Sequence, residues 1–329
     1  MKALLLTGGF GTRLRPLTLT RPKHLLPVAN RAHMEHVFDL LLRHGVEEVV
    51  LLTSYLADAF EDTIASAQAR GLGVEVTHER EPLGTGGAIK NAEALVGGDA
   101  GFLVFNGDVL TDVDLGALMR FHRQRRAEAT ILLTPVEDPS AYGVVPTAPE
   151  GRVLGFIEKP PRAEAPTNLI NAGVYVFEPS VLDRIPAGRV WSAERQLFPG
   201  LVEEGAALFA MGTTAYWIDI GTPQKYLEAN LDALAGRLAS DEIGPVADGG
   251  VLAARDARID PAAHVSWSCL GARATIEDNV TVQGSVLLPD VVVSSGATVE
   301  SSILGAGARV ARGARAVGVT IGDGEEVSA

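Results

Sequence analysis

The residues best suited to phosphate chemistry lie near the amino terminus. A short apolar run is followed by Gly8, Gly9 and Gly11, and basic side chains come directly afterwards. Glycines after a strand let backbone N–H groups approach phosphate oxygens closely. Arg13 and Lys23 would add the positive charge that holds an anion. The loop has neither the Gly-Lys-Ser/Thr of a Walker A motif nor the spacing of a dinucleotide fingerprint, so another type of phosphate site is indicated.

Two aspartates have the chemistry of magnesium ligands. Asp108 ends the apolar run Phe102–Asp108, and Asp219 stands just ahead of a Gly-Thr-Pro helix start. Mg²⁺ prefers oxygen ligands and is usually bound through one or two carboxylates plus substrate phosphates. An isolated Gly-Asp more often caps a turn, so the residues alone leave the role of Asp108 open.

The glycine-rich segment, Gly8-Gly9-x-Gly11-Thr12-Arg13-Leu14 with Pro22-Lys23, closely resembles the signature of the sugar-1-phosphate nucleotidylyltransferases. Further motifs extend the resemblance to about residue 235. It implies transfer of a nucleotidyl group from a nucleoside triphosphate to a sugar 1-phosphate, with release of pyrophosphate and with Mg²⁺ as cofactor. The implied nucleotide-binding residues are Leu6, Gly8, Gly9, Gly11, Thr12, Arg13, Lys23, Glu79 and Gly84. The implied catalytic residues are Arg13, Lys23 and Asp108, and the implied metal ligands are Asp108 and Asp219.

Four motifs are similar to the sugar-phosphate site of that family. Three of them contain Gly143 in Tyr-Gly-Val, Glu158 and Lys159 in Glu-Lys-Pro, and Asn171 in Asn-Ala-Gly. The fourth, Leu83-Gly84-Thr85-Gly86-Gly87, is implied to pack close to the base and the sugar. The resemblance implies that the Gly143 amide faces the sugar, that Glu158 and Asn171 bind sugar hydroxyls, and that Lys159 contacts the sugar phosphate. A Glu-Lys pair taken alone is usually a solvated surface feature.

The base is indicated by Glu79, which precedes the Leu-Gly-Thr-Gly-Gly segment containing Gly84. A carboxylate can accept both N1–H and N2–H₂ of guanine. A pyrimidine edge suits an amide better, and relatives that use pyrimidines tend to carry Gln there. Glu81 is an alternative partner for the base. The remaining alternative is that both glutamates point to solvent and bind no base. His24 departs from the Pro usual in guanylyltransferases.

Within the family, the segment as a whole most resembles bacterial mannose-1-phosphate guanylyltransferases. The expected reaction is therefore GTP plus mannose 1-phosphate to GDP-mannose. Glucose-1-phosphate thymidylyltransferase or uridylyltransferase activity is the alternative. A different class, a regulatory paralogue that senses a nucleotide sugar without making it, is disfavoured because the motif residues are all present.

Apolar runs alternate with helical periodicity over the first 235 residues, which predicts a Rossmann-like, doubly wound, mostly parallel sheet. The catalytic domain is predicted to span residues 1–238, with ligands at the carboxyl ends of the strands. The predicted strands are Ala3–Thr7, Glu48–Thr53, Gly73–Thr77, Phe102–Phe105 and Thr130–Leu133. The predicted helices are His33–Arg43, Ala57–Arg70, Gly86–Leu95 and Asp114–Arg125, with Asp114 as an N-cap.

Residues 239–329 have a different pattern, in which aliphatic residues recur at a spacing of six. The pairs are Ile259 and Val265, Ile276 and Val282, Val293 and Val299, Leu304 and Val310, and Ile321 and Val327. This repeat resembles the hexapeptide of short left-handed parallel β-helices and predicts roughly four coils of three hexapeptides. A small β-domain is the alternative. Residues 236–250 would form the joint. The tail is expected to mediate homo-oligomer formation; an acyltransferase role is disfavoured because it offers only His264.

Composition limits the partners and the compartment. The 329 residues carry 41 acidic and 28 basic side chains, a formal net charge of −13, which disfavours nucleic acid and anionic membranes. The single cysteine, Cys269, excludes an internal disulfide and fits a reducing cytoplasm. No run approaches the roughly 20 apolar residues of a membrane span. A soluble cytoplasmic protein is expected.

Overall fold

The computed structural model describes residues 1–53, 57–79, 81–96, 100–240 and 243–329. The chain forms two compact units. The first comprises Met1–Gly9 and Val37–Trp217, and the second comprises Phe10–His36 and Ile218–Ala329. Residues 241 and 242 of the predicted joint lie outside the described residues, and a domain division at 238/239 stays a prediction.

The elements up to the joint alternate between strands and helices. The strands are β1 Lys2–Leu6, β2 Pro27–Val28, β3 Arg31–Ala32, β4 Glu48–Thr53, β5 Gly73–His78, β6 Phe102–Asn106, β7 Val109–Thr111, β8 Ala129–Pro135, β9 Gly143–Val144, β10 Ile157–Glu158, β11 Leu169–Phe177, β12 Leu208–Gly212 and β13 Trp217–Asp219. The helices are α1 His33–Arg43, α2 Glu61–Ala69, α3 Gly84–Asn91, α4 Glu93–Val96, α5 Leu115–Arg125, α6 Phe198–Glu203 and α7 Pro223–Leu234.

All five predicted strands and all four predicted helices are present, with shifts of a few residues. The predicted helix 57–70 begins with a 3-10 turn, and the predicted helix 86–95 is divided into α3 and α4. Asp114 is the N-cap of α5, and its side chain accepts a hydrogen bond from the Ala117 N–H. These elements form because each has an apolar face and its ends carry the residues that satisfy exposed backbone groups.

The first unit is built on one nine-stranded sheet. Its main path runs β10-β9-β11-β6-β1-β4-β5, and β8 pairs with both β11 and β12. The strands β6, β1, β4 and β5 are mutually parallel, whereas β11 is antiparallel to β6 and β8. The Rossmann-like prediction is confirmed, but the sheet is mixed because β11, which the sequence analysis did not identify, enters it in the opposite direction.

The core of the first unit lies against both faces of this sheet. Leu4, Val50 and Val104 from adjacent parallel strands are almost completely buried. On β11, Tyr175 and Phe177 stack with ring centroids 5.7 Å apart. Strands buried on both faces need continuous apolar sequence, which is why β1, β4 and β6 appear as unbroken aliphatic runs.

The tail consists of three parallel sheets, consistent with the predicted left-handed β-helix. The sheets follow the orders β14-β17-β20-β23-β26, β15-β18-β21-β24-β27 and β16-β19-β22-β25. The strands are β14 Val251–Ala253, β15 Arg258–Ile259, β16 His264–Ser266, β17 Ser268–Leu270, β18 Thr275–Ile276, β19 Thr281–Gln283, β20 Val286–Leu287, β21 Val292–Val293, β22 Thr298–Glu300, β23 Ile303–Leu304, β24 Arg309–Val310, β25 Arg315–Val317, β26 Thr320–Ile321 and β27 Glu326–Val327.

Each coil contains 17 residues, so the expectation of three full hexapeptides per coil is wrong by one residue. Thr275 pairs with Val292, and Val292 pairs with Arg309. Interior residues are spaced six, six and five apart, as in Leu287, Val293, Val299 and Leu304. The five-residue side is the one that the hexapeptide pattern did not predict.

A column of three buried serines, Ser268, Ser285 and Ser302, occupies the short side of three consecutive coils. The hydroxyls of Ser268 and Ser285 each accept a hydrogen bond from the serine backbone N–H one coil later, at 3.1 Å. Each also donates to the carbonyl two residues earlier in its own coil. The preceding residues, including Trp267 and Ser301, adopt positive φ. The hydroxyl column thus supplies the hydrogen bonds of a tight corner.

Among the helices of the described residues, none is both long and apolar enough to cross a lipid bilayer.

Candidate functional site

The carboxyl edge of the parallel strands brings two predicted segments together in the first unit. Leu6 on β1 pairs with Asn106 on β6, and the Gly107 N–H donates to the Leu6 carbonyl at 3.0 Å. Gly8 and Gly9 follow β1 and are exposed. The turn that carries Asp108 therefore lies beside the beginning of the glycine loop, as the rule for ligand sites on parallel sheets requires.

The rest of the glycine loop belongs to the second unit. Gly11 has φ +57°, and its carbonyl accepts hydrogen bonds from the Leu14 N–H and the Thr18 hydroxyl. A Cβ at Gly11 would lie 3.1 Å from Thr18 Cγ2 and 3.4 Å from Lys23 Cβ. Glycine is needed here because the chain folds back onto the segment that carries Lys23.

Arg13 extends from this loop along the backbone that follows Asp219. A Cβ at Gly221 would lie 2.8 Å from Arg13 Nη2, so the guanidinium occupies the space that a side chain would fill. Thr12 and Arg13 form an exposed 3-10 turn. Within this unit, a cationic side chain and the predicted metal ligand Asp219 thus come from neighbouring backbone segments.

The predicted sugar-phosphate residues meet on three adjacent strands of the first unit. Gly143 pairs with Glu158, and β9 also pairs with β11 beside Asn171. A Cβ at Gly143 would lie 2.5 Å from Phe156 Cζ, so only glycine fits beneath that ring. Lys159 has φ +50°, and its Nζ lies 3.3 Å from Glu158 Oε1. A left-handed lysine is uncommon, and such strained residues cluster at functional sites.

Asn171 is held by two hydrogen bonds inside its own strand. Its Oδ1 accepts from the Gly173 N–H at 2.9 Å, and its Nδ2 donates to the Tyr175 hydroxyl at 2.8 Å. These two bonds use only one of the two Nδ2 protons. Burial raises the pKa of Tyr175 well above its ordinary value, so the hydroxyl stays protonated.

Asn106 is a polar residue to which sequence reasoning gave no role. Its side chain packs against Gly173, where a Cβ would lie 2.8 Å from Asn106 Nδ2. Its Oδ1 is buried and has no hydrogen-bond partner among the described residues. A buried acceptor of this kind normally has a partner. Its position two residues before Asp108 was the one available signal.

Glu79 follows β5, and its backbone N–H donates to the Thr53 carbonyl at 2.9 Å. Its Oε1 is buried without a hydrogen-bond partner among the described residues. Burial raises the pKa of the Glu79 carboxyl, and a hydrogen bond from the Leu83 backbone N–H partly offsets that effect. Glu81, by contrast, is exposed. Of these two glutamates, Glu79 is therefore the one with a buried acceptor oxygen.

The glycines from Gly84 onward pack against another chain segment. A Cβ at Gly84, which has φ +73°, would lie 2.8 Å from the Trp191 carbonyl oxygen. A Cβ at Gly87 would lie 2.6 Å from the Arg189 carbonyl oxygen. Close backbone packing thus explains these glycines whether or not a ligand is bound.

Between those glycines, Thr85 connects to the loop after Trp191. Its hydroxyl donates to Glu194 Oε2 at 2.7 Å and accepts from the Ala193 N–H at 2.8 Å. Ser192 donates to the same carboxylate oxygen. This network fixes the Leu-Gly-Thr motif relative to residues 191–194, and the motif spacing alone did not predict it.

Asp108 and Asp219 are both half-buried and offer carboxylate oxygens. In the described ranges, no group of three or more His, Cys, Asp or Glu side chains could hold a metal without other ligands. Asp108 belongs to the first unit and Asp219 to the second, and each carboxylate is an oxygen ligand of the kind that Mg²⁺ accepts.

His24, which departs from the usual motif, is completely buried in the turn Lys23–Leu25.

Comparisons with known proteins agree over most of the chain. Residues 2–236 match the family described as "Nucleotidyl transferase", and residues 247–329 match "GMPPB C-terminal domain". The chain is 40% identical over 295 residues to the mannose-1-phosphate guanylyltransferase of Mycobacterium tuberculosis, covering 89% of this chain and 81% of that protein. It is 40% identical over 276 residues to the mannose-1-phosphate guanylyltransferase catalytic subunit beta of Xenopus tropicalis, covering 82% and 74%.

Among solved structures, HddC from Yersinia pseudotuberculosis complexed with GMP-PN is similar. The identity is 29%, the TM-score is 0.60, and the match covers 70% of this chain and 97% of HddC.

Proposed function

From the premise that the chain belongs to the nucleotidyl transferase family, we propose that it transfers the guanylyl group of GTP to mannose 1-phosphate, forming GDP-mannose and pyrophosphate. Relatives that are 40% identical carry the name of this activity. The choice of guanine rests on one observation, the buried Oε1 of Glu79, which is suited to accept N–H groups.

Arg13 and Lys23 bind the triphosphate and balance its charge in the transition state. A phosphate oxygen of the sugar 1-phosphate attacks the α-phosphorus in line and pyrophosphate leaves. Positioning and electrostatic stabilisation are enough for such a reaction, so no nucleophilic side chain is required. Asp108 and Asp219 would hold Mg²⁺, which supplies charge neutralisation on the phosphates when bound.

On the acceptor side, Lys159 binds the sugar phosphate while Glu158 and the Gly143 amide bind sugar hydroxyls. The pairing of Gly143 with Glu158 and the left-handed φ of Lys159 support this role, because they fix both groups at one edge of the sheet. The remaining Nδ2 proton of Asn171 donates to a further hydroxyl.

The setting proposed for this enzyme is a cytoplasmic homo-oligomer assembled through the tail. Exposed apolar side chains on the tail, Trp267 and Val317 among them, are 48% and 46% exposed and suit a subunit contact. The free thiol of Cys269 fits a reducing compartment, and burial raises its pKa to about 12. The oligomeric state is measured by light scattering coupled to size exclusion.

The test is a matrix of nucleoside triphosphates against sugar 1-phosphates, read by pyrophosphate release with Mg²⁺. We expect the highest turnover with GTP and mannose 1-phosphate. Preference for dTTP or UTP would overturn the choice of base. Binding of a nucleotide sugar with no turnover on any pair would instead indicate the sensing paralogue.

Two substitutions test the catalytic assignments. Lys23→Ala and Asp108→Ala should fold normally by circular dichroism and lose turnover. Lys225→Ala, which removes a lysine from an exposed pair with Glu228 on α7, is the matched control and should behave as wild type. Near-normal pyrophosphate release by Lys23→Ala or Asp108→Ala refutes the corresponding role.

A further inference from the structure

The segment Phe10–His36 carries Arg13 and Lys23, yet it forms a compact unit with the tail and α7. Its hydrogen bonds within that unit are numerous. The Tyr226 hydroxyl donates to the Pro27 carbonyl at 2.6 Å. The Ala29 N–H donates to Asn230 Oδ1 at 2.9 Å. The position of the segment is therefore determined by residues more than 190 positions later in the chain.

The hairpin of β2 and β3 bonds directly to the edge of the β-helix. Ala29 and Asn30 form its two-residue turn, and both have positive φ. Asn30 Nδ2 donates to the Leu252 carbonyl at 3.2 Å and to the Leu270 carbonyl at 2.9 Å. One amide thus bridges the first two strands of one β-helix sheet.

The outward face of that sheet is apolar and buried. Leu252, Cys269, Val286 and Ile303 form one column of paired residues, and each is at most 5% exposed. Successive residues of a strand point to opposite sides, so this column faces away from the interior that holds Leu270. This side of the tail is a packing surface inside the unit.

A charged contact to the segment comes from Asp323 in the final coil. Its Oδ2 accepts from Arg21 Nη2 at 2.6 Å and from the Thr20 hydroxyl at 2.5 Å. Its Oδ1 accepts from the Ala306 N–H at 2.7 Å. The Arg21 and Asp323 side chains are only 24% and 17% exposed, so solvent screens this ion pair less than an ordinary surface pair.

We propose that Asp323 is a positioning residue for the catalytic Lys23, acting through Arg21. Only Pro22 separates Arg21 from Lys23, and the ring of Pro22 fixes its φ, which is −59°. A displacement of Arg21 is therefore transmitted to the turn Lys23–Leu25. This inference rests on the proposed function, because it needs Lys23 to act on the triphosphate.

The final coil of the β-helix then has a role in catalysis that is separate from subunit assembly. A tail that served only to join subunits would need just the oxygen that accepts the Ala306 N–H. Asp323 instead uses one oxygen to order its own coil and the other to hold the catalytic segment.

The test is Asp323→Asn in the full-length chain, because asparagine keeps an oxygen for the Ala306 N–H and removes the charge that pairs with Arg21. The matched control is Asp290→Asn, which breaks a bidentate pair with Arg273 on the same β-helix. We expect kcat/KM for GTP to fall about tenfold in Asp323→Asn, while its KM for the sugar phosphate stays at the wild-type value. The control Asp290→Asn should have wild-type values of both quantities.

Hydrogen exchange provides a readout that does not depend on activity. Amides of residues 19–26 should exchange faster in Asp323→Asn than in the wild type, and at the wild-type rate in Asp290→Asn. Combining Arg21→Ala with Asp323→Ala should add little to either single loss, because both remove one interaction. Arg21→Lys should retain part of kcat/KM.

Unchanged exchange at residues 19–26 together with wild-type kinetics for Asp323→Asn overturns the proposal. A lowered Tm with normal kinetics, measured well below that Tm, also overturns it, since the contact would then be only structural. If Lys23→Ala keeps normal turnover, the proposed catalytic role fails even when the exchange result for residues 19–26 stands, so the two failures are distinguishable.

Discussion

Replacement of Glu79 by glutamine tests the recognition of guanine and has two opposite expected effects. In the wild type, the buried Oε1 lacks a partner among the described residues, so the empty protein bears the cost of an unsatisfied carboxylate. Guanine would satisfy it with N–H groups. Glutamine keeps the shape of the side chain but replaces one acceptor with an NH₂ donor that faces another donor on the base.

The loss for GTP follows from the hydrogen bonds. One hydrogen bond to a charged group contributes about 1.5–3 kcal/mol net. At about 1.4 kcal/mol per factor of ten, Glu79→Gln should lower kcat/KM for GTP about 10- to 150-fold. Inosine triphosphate, which lacks the 2-amino group, should be a poorer substrate than GTP for the wild type. The variant should discriminate much less between the two.

Stability should move in the other direction. Burial raises the pKa of the Glu79 carboxyl above its unfolded value near 4.5. Between the two pKa values the folded protein binds more protons than the unfolded chain, so stability falls as the pH rises through that interval. The penalty is fully present once the pH exceeds the pKa of the folded state. Glu79→Gln removes it, so the Tm of the ligand-free variant should exceed that of the wild type at pH 7.5.

Steady-state kinetics and thermal melts read the two effects separately. Glu81→Gln is the matched control, because Glu81 is exposed in the same loop and should change neither quantity. An unaltered ratio of GTP to inosine triphosphate use in Glu79→Gln, with kcat/KM for GTP within about threefold of wild type, refutes the reasoning.

Three further predictions concern packing, the tail and pH. Gly143→Ala places a Cβ 2.5 Å from Phe156. It should therefore lower the free energy of unfolding by about 1–3 kcal/mol in thermal melts and raise the KM for the sugar phosphate. In the control Gly155→Ala, the nearest atom to the new Cβ is 3.7 Å away, so neither quantity should change. Ser285→Ala removes a buried hydroxyl that accepts a backbone N–H, and should lower the free energy of unfolding by about 1–3 kcal/mol in denaturant titrations without changing KM. Burial lowers the pKa of His122, so the wild type should lose stability as the pH falls below about 6.5, and His122→Gln should lose less in melts over that range.

The elements of the sheet could be predicted because their patterns are local. The aliphatic run before Gly8 and the N-cap at Asp114 each point to one structure without knowledge of the rest of the chain. The direction of β11 could not be predicted in this way. It depends on which strands its edges pair with, and its sequence is equally compatible with a parallel neighbour.

The candidate site was predicted through motifs, and contacts between distant residues were missed. The partner of Arg21 lies 302 positions later, and nothing near Asp323 in the sequence points to it. Asn106 and Glu79 have unsatisfied oxygens only after the fold excludes solvent from them. The hexapeptide spacing also overestimated the length of a coil by one residue. One side of the coil has only five residues, and the serine column supplies the hydrogen bonds of its corner.

The 17-residue coil has a consequence for changes in chain length. Removing residues in multiples of 17 would keep the serine column and the aliphatic interior in phase, whereas removing six would place the wrong residue type at each corner. A one-coil deletion would still shift the terminal turn with Asp323 by about 4.8 Å, the distance between neighbouring strands. Homologues with a shorter stack should therefore keep whole coils and carry a substitute acidic residue opposite Arg21.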